Sequence, residues 1–118
     1  MTDSVLKTKS KELAVKLIVL CRELKKRGTE GALYSQLIRC GTSVGANIYE
    51  AQFAHGIRDF VSKLEIALKE SNETSYWLKL MYETKRIDTA TYQYTEKLCG
   101  NIRRLLIASC KTAKENAK

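Results

Sequence analysis

The sequence predicts an all-α protein, specifically an antiparallel up-down-up-down four-helix bundle, and three observations lead there. The 118 residues contain no proline and only 6 glycines, whereas average proline usage of about 5% would give roughly six prolines. Lys, Glu, Leu and Ala, all strong helix formers, are abundant. Apolar residues recur at helical spacing through four segments parted by short breaks. A chain of 118 residues is the size of one domain with one substantial core.

The first segment, 4–27, sets Leu6, Leu13, Leu17, Leu20, Cys21 and Leu24 on one face. Gly28 is placed to close it in a left-handed cap. The second, 32–54, ends at the His55-Gly56 break. The third, 58–84, has an inward face of Phe60, Leu64, Ala67, Leu68, Ser71, Ser75, Leu78 and Tyr82. The fourth, 88–115, opens on Asp88, a good N-cap, with Ile87 set to staple onto Tyr92. Its expected buried face is Thr91, Tyr94, Leu98, Ile102, Leu105, Ser109 and Ala113. Each helix is roughly 23–28 residues, about 35–42 Å long. Matched lengths and loops of a few residues make neighbouring helices antiparallel.

The second segment carries the most information. Projected at 100° per residue, Leu33, Leu37, Cys40, Val44, Ile48 and Ala51 form an apolar stripe. Beside it runs a polar stripe of Arg39, Ser43, Asn47 and Glu50, with Gln36 at its upper end. A third edge holds Gly41 and Gly45, where another helix can approach closely.

Several function classes fall away on composition. The longest apolar tract, Leu17 to Cys21, is far below the ~20 residues of a membrane span, and no signal-peptide pattern opens the chain. A cytoplasmic location is the expectation. The four cysteines (Cys21, Cys40, Cys99, Cys110) stand singly and His55 is the one histidine, so no zinc site is expected and a Glu-x-x-His di-iron centre cannot be built. Cys21 and Cys40, on or beside apolar stripes, read as small buried hydrophobes. Glu70 and Glu73 share a helix face without an implied cleft, and Gly41-x-x-x-Gly45 lacks the lysine and preceding strand of a phosphate loop. The expectation is a non-enzyme with no cofactor and no metal.

The run Gln36-Leu-Ile-Arg39, Ser43-Val-Gly-Ala-Asn-Ile-Tyr-Glu-Ala51, Asp59-Phe60, Lys63, Ile66-Ala-Leu-Lys-Glu70, Glu73-Thr74 and Tyr76-Trp-Leu78 resembles the bacterial 23S rRNA intervening-sequence proteins. These are small four-helix bundles, some encoded within insertions in 23S rRNA genes. The resemblance covers nearly the whole chain, and its Ser-hydrophobic-x-Ala-Asn-Ile-x-Glu core is fairly specific. Ala51 stands where many members carry glycine and Gly45 where some carry proline. The resemblance implies a homopentamer. It also implies kinship with the accessory protein of diversity-generating retroelements, a basic pentameric barrel that binds nucleic acid and a reverse transcriptase.

Three surface features then need roles. Asn47 occupies a seam position where a buried asparagine sets register and partner. Arg39 and Glu50 flank it, and Glu70 or Glu73 on the third helix can complete charge pairs. A satisfied polar network is the expected role of Arg39, Ser43, Asn47, Glu50, Glu70 and Glu73, and Asn47→Ala is expected to disturb assembly. Ile66, Trp77 and Leu80 lie away from the third helix's inward face. An exposed aromatic with apolar neighbours marks a self-association surface.

Charge is the third feature. Of the net +8, residues 1–28 contribute +5 and residues 88–118 contribute +3, while the middle nearly cancels. Lys9, Lys16 and Arg27 form an outer line on the first helix; Lys97, Arg104 and Lys111, spaced by seven, form another on the fourth. These helices are neighbours in an up-down bundle, so the excess gathers on one side, and oligomerisation would multiply it. Tyr34, Tyr49 and Tyr92 do not interleave with the basic lines, which leaves phosphate contact and shape as the mode of recognition. The expected role is binding of structured RNA or nucleic acid generally. The rival is a protein-interaction or accessory subunit without nucleic-acid contact.

Overall fold

The computed structural model describes residues 2–117, with side chains from Val5 onward; Lys118, counted in the charge of the last segment, lies outside them. Four helices form within these residues: α1 (Thr2–Lys26), α2 (Gly31–Ala51), α3 (Ile57–Glu83) and α4 (Thr89–Asn116). Each packs on its chain neighbours, α1 closes the ring on α4, and no pair packs across a diagonal among the described residues. That ring, with its three short connections, is the antiparallel up-down-up-down bundle, 50 × 22 × 19 Å in extent.

The helix ends follow from local chemistry. Gly28, at φ 82°, ends α1 as expected: Thr29 N–H reaches Leu24 O at 2.9 Å and Gly28 N–H reaches Lys25 O at 3.1 Å, the paired bonds of a Schellman cap. The same geometry ends α3, with Arg86 N–H on Met81 O at 2.8 Å and Lys85 N–H on Tyr82 O at 3.0 Å. Here the left-handed residue is Lys85, at φ 62°. Asp88 caps α4 by accepting from Thr91 N–H at 2.7 Å, and Ile87 beside it is buried. Helix α2 stops three residues short of the expected 54. Its last turn tightens into i−3 bonds, from Gln52, Phe53 and Ala54 to Tyr49, Glu50 and Ala51.

The core of α1 is Leu6, Leu13, Leu17, Cys21 and Leu24, with Leu20 half-buried; the expected α2 stripe is buried except for half-buried Leu33. Two expected faces are rotated. On α3, Val61, Thr74 and Met81 are buried, while Phe60, Leu68, Ser75 and Tyr82 lie half-buried at the margins. On α4, Thr95, Cys99, Leu106 and Cys110 are buried; Thr91, Leu105 and Ser109 are half-buried, and Tyr94 is exposed. The α2–α3 pair is the most closely packed and the α1–α4 pair the most thinly. Thr74 and Met81 accordingly turn toward α2, and Cys99, Leu106 and Cys110 turn α4 toward α3. The buried threonine hydroxyls bond back along their own helices, Thr74 to Glu70 O and Thr95 to Thr91 O, both at 2.8 Å.

The glycine edge of α2 is where α1 crosses. A Cβ on Gly41 would stand 2.1 Å from Leu17 Cδ1, and one on Gly45 would stand 3.4 Å from Ser10 O. The close approach expected of that edge is therefore made by α1.

Candidate nucleic-acid interface

The polar stripe of α2 closes onto α3 through Arg39. Its guanidinium donates to Glu70 Oε2 at 3.2 Å and also to Glu73 Oε2, and its Nε and Nη2 donate to Gln36 Oε1 at 3.2 and 3.1 Å. Trp77 Nε1–H donates to the same Glu73 oxygen at 3.0 Å. Further along, Asn47 Nδ2 donates to Ser43 O at 2.9 Å and to Ser43 Oγ at 3.0 Å, and Glu50 pairs with Lys63 at 3.4 Å. The charge pairs expected of Arg39 thus form with both glutamates. The carboxylates lie against a cation rather than facing each other across a cleft, and Asn47 directs its amide N–H groups into its own helix. This arrangement ties two helices together.

Ile66, Trp77 and Leu80 divide. Ile66 is 41% exposed, but Trp77 and Leu80 are half-buried, and the indole packs against the core. The exposure expected of Trp77 is thus only partial; Tyr76, 5.1 Å from it edge to face, is the more exposed ring at 59%.

The first basic line borders the α1–α4 seam, and the second runs along the outer side of α4. Tyr94 O–H donates to the Glu12 carboxylate, and Lys16 Nζ stands 4.9 Å from the centre of the Tyr94 ring. The Glu12 bond, with some desolvation, pushes the Tyr94 phenol above its usual value and keeps it neutral. With Glu12 and Lys16 opposite Tyr94, helical projection puts Lys9 and Lys16 on the flank of α1 facing α4. Lys97 and Arg104 fall on the outer flank of α4, and Lys111 lies two turns, about 10 Å, beyond Arg104. Arg27 stands apart at the far end, donating to Glu23 O and Arg86 O at 3.4 Å each.

These cations share one property. Among the described residues, none of Lys9, Lys16, Arg27, Lys97, Arg104 and Lys111 has a carboxylate within ion-pair distance; Arg104 bonds the Asn101 side chain. By contrast Arg39, Lys63, Arg86, Arg103 and Lys114 are all paired with glutamates. By formal charge the middle of the chain cancels and the outer helices carry the excess. Ion pairs occur on both sides: among the described residues Lys26, Arg103 and Lys114 are paired, while Arg58, Lys69, Lys79 and Lys85 are not.

Sequence reasoning missed a second surface. A groove of about 320 Å³ opens between α1 and α2, its lining including Lys7, Lys11, Ala14, Gly45, Ala46 and Tyr49. Tyr49 and Phe53 approach at 5.3 Å between ring centres, tilted by 52°, and are 62% and 68% exposed. Their signal was present as two aromatics four residues apart, off the apolar stripe. A larger cavity of about 550 Å³ at the opposite end is lined by Arg27, Glu83, Lys85, Arg86 and Asp88, with Arg86 engaged by both Glu30 oxygens at 2.8 and 3.0 Å. No group of three metal-ligating side chains occurs among the described residues, and no helix is long and apolar enough to cross a membrane.

Comparison with known proteins agrees with this architecture. Residues 2–108 match the family described as 23S rRNA-intervening sequence protein. No curated protein matches the chain. A crystal structure of a protein of unknown function from the S23 ribosomal protein family of Bacteroides thetaiotaomicron is similar at 43% identity and a TM-score of 0.91, over 94% of this chain and 99% of that one. The chain belongs to the 23S rRNA-intervening sequence protein family.

Proposed function

We propose that this protein is a non-enzymatic, self-associating bundle of the cytoplasm that binds structured RNA, or nucleic acid generally, through phosphates along the α1–α4 face. The observation that carries this reading is the excess of formal charge on the outer helices, +5 over residues 1–28 and +3 over residues 88–118. Among the described residues, Lys9, Lys16, Lys97, Arg104 and Lys111 lie on these two helices without carboxylate partners, so their charge is available to a polyanion. Phosphates supply what such a face lacks, and binding releases their condensed counterions. The face offers charge and few base-reading groups, which suits backbone and shape recognition. Self-association is read from Ile66 and Tyr76, exposed on the outer side of α3. The same exposure favours the rival reading, an accessory subunit whose partner is a protein.

Fluorescence anisotropy of a structured rRNA-like hairpin, titrated across salt concentrations, tests the proposal. Log affinity is expected to fall linearly with log salt, by about 0.7–0.9 per phosphate neutralised. The triple variant Lys97→Glu/Arg104→Glu/Lys111→Glu is expected to flatten that slope by roughly two to three units. Absence of binding at low salt would overturn the proposal and leave the protein-partner reading.

A further inference from the structure

We infer that the α1/α2 groove, with the Tyr49–Phe53 pair at its edge, receives unpaired RNA bases, so the protein distinguishes looped RNA from continuous duplex. This inference rests on the RNA-binding reading and adds base stacking to it. Both rings stand largely in water, and neither belongs to the buried core. A tilted pair 5.3 Å apart leaves ring faces free for a planar partner, and every base has a π-face to offer.

The groove's charge identifies that partner. Its lining contains Lys7 and Lys11 and no carboxylate, and neither lysine has an ion pair among the described residues. Aromatic rings beside unpaired lysines match a base joined to its phosphate. A protein partner fits less well, because lysine is depleted from the cores of protein–protein interfaces. Position connects the two surfaces. Lys7 and Lys11 project to the α2 side of α1, Lys9 to the α4 side, so three lysines within five residues straddle the helix. A duplex lying on the α1–α4 seam can carry its unpaired strand over the N-terminal half of α1 and into the groove.

The experiment compares two RNAs of equal length, a continuous duplex and the same duplex interrupted by unpaired adenines, one replaced by 2-aminopurine. The wild-type protein is expected to bind the interrupted RNA at least tenfold more tightly and to quench the 2-aminopurine. Tyr49→Ala/Phe53→Ala is expected to lose that preference, roughly tenfold or more, with salt slope, melting temperature and particle mass unchanged. Lys7→Gln/Lys11→Gln, which leaves the rings in place, is expected to reduce the salt slope for the interrupted RNA alone. Equal wild-type binding of the two RNAs, or equal loss on both in the aromatic variant, overturns this inference while the RNA-binding reading stands. A lower particle mass in that variant also overturns it, since the rings would then be a contact between copies. Failure to bind either RNA overturns both.

Discussion

Cys99 is fully enclosed beside α3, and loss of hydration pushes its thiol up to about 12, with the Glu96 carboxylate adding to the rise. Cys21 is pushed to about 11 for the same first reason, and burial also raises Cys40 and Cys110. The thiolate is the nucleophile, and at pH 8 a thiol of pKa 11 is ionised about one part in a thousand. Access and ionisation therefore act in the same direction. A disulfide reagent at pH 8 is expected to find no rapidly reacting thiol in the native protein and four after unfolding in guanidinium. One fast thiol in the folded state would mean that the helix carrying it opens far more readily than its packing implies. Arg39 shows the opposite use of a residue, since half-exposed it holds Gln36 and joins two glutamates that would otherwise crowd like charge beside the Trp77 indole.

At the scale of the element, α2 works through two glycines that the structure treats differently. Alanine at Gly41 would drive a methyl into fully buried Leu17, 2.1 Å from its Cδ1, whereas at Gly45 the nearest atom is Ser10 O at 3.4 Å. Overpacking costs about 1–3 kcal/mol, and replacing a mid-helix glycine returns about 1 kcal/mol of propensity. Gly41→Ala is expected to lower stability by about 1 kcal/mol in urea unfolding, and Gly45→Ala to leave it unchanged or raise it slightly. Equal effects would mean α1 and α2 are not in this register. The apolar stripe of α2 was legible in the sequence because its residues are nearly all aliphatic and its neighbours lie on both sides. The faces of α3 and α4 were less so, because unequal packing of the helix pairs turns each toward its closer neighbour, and no single-helix projection contains that information. Lys85 gave no sign of a left-handed cap, since lysine is not selected for one. In the candidate interface the basic residues could be read directly. Which of them remain unpaired could not, because pairing depends on the register between helices, as Arg39 with Glu70 and Lys114 with Glu65 illustrate.

Across the whole molecule, the α2–α3 side, whose formal charges nearly cancel, and the basic α1–α4 side call for different partners. A surface of near-zero net charge does not repel a second copy of itself. A basic surface repels its own kind and favours a polyanion. Self-association through α3 and RNA binding through the seam are therefore compatible in one particle, and a ring of copies would repeat the basic face around its rim. Trp77→Ala is expected to lower the particle mass in light scattering, but it also uncovers core packing. Ile66→Lys separates the two effects. The position is exposed and outside the core, so the substitution leaves the packing of the bundle in place. Its melting temperature is expected to hold within a few degrees while the particle mass falls, because a new ammonium group would have to be desolvated between copies. A mass unchanged in both variants would move the contact off this face of α3 and leave Ile66 an ordinary solvent-exposed side chain.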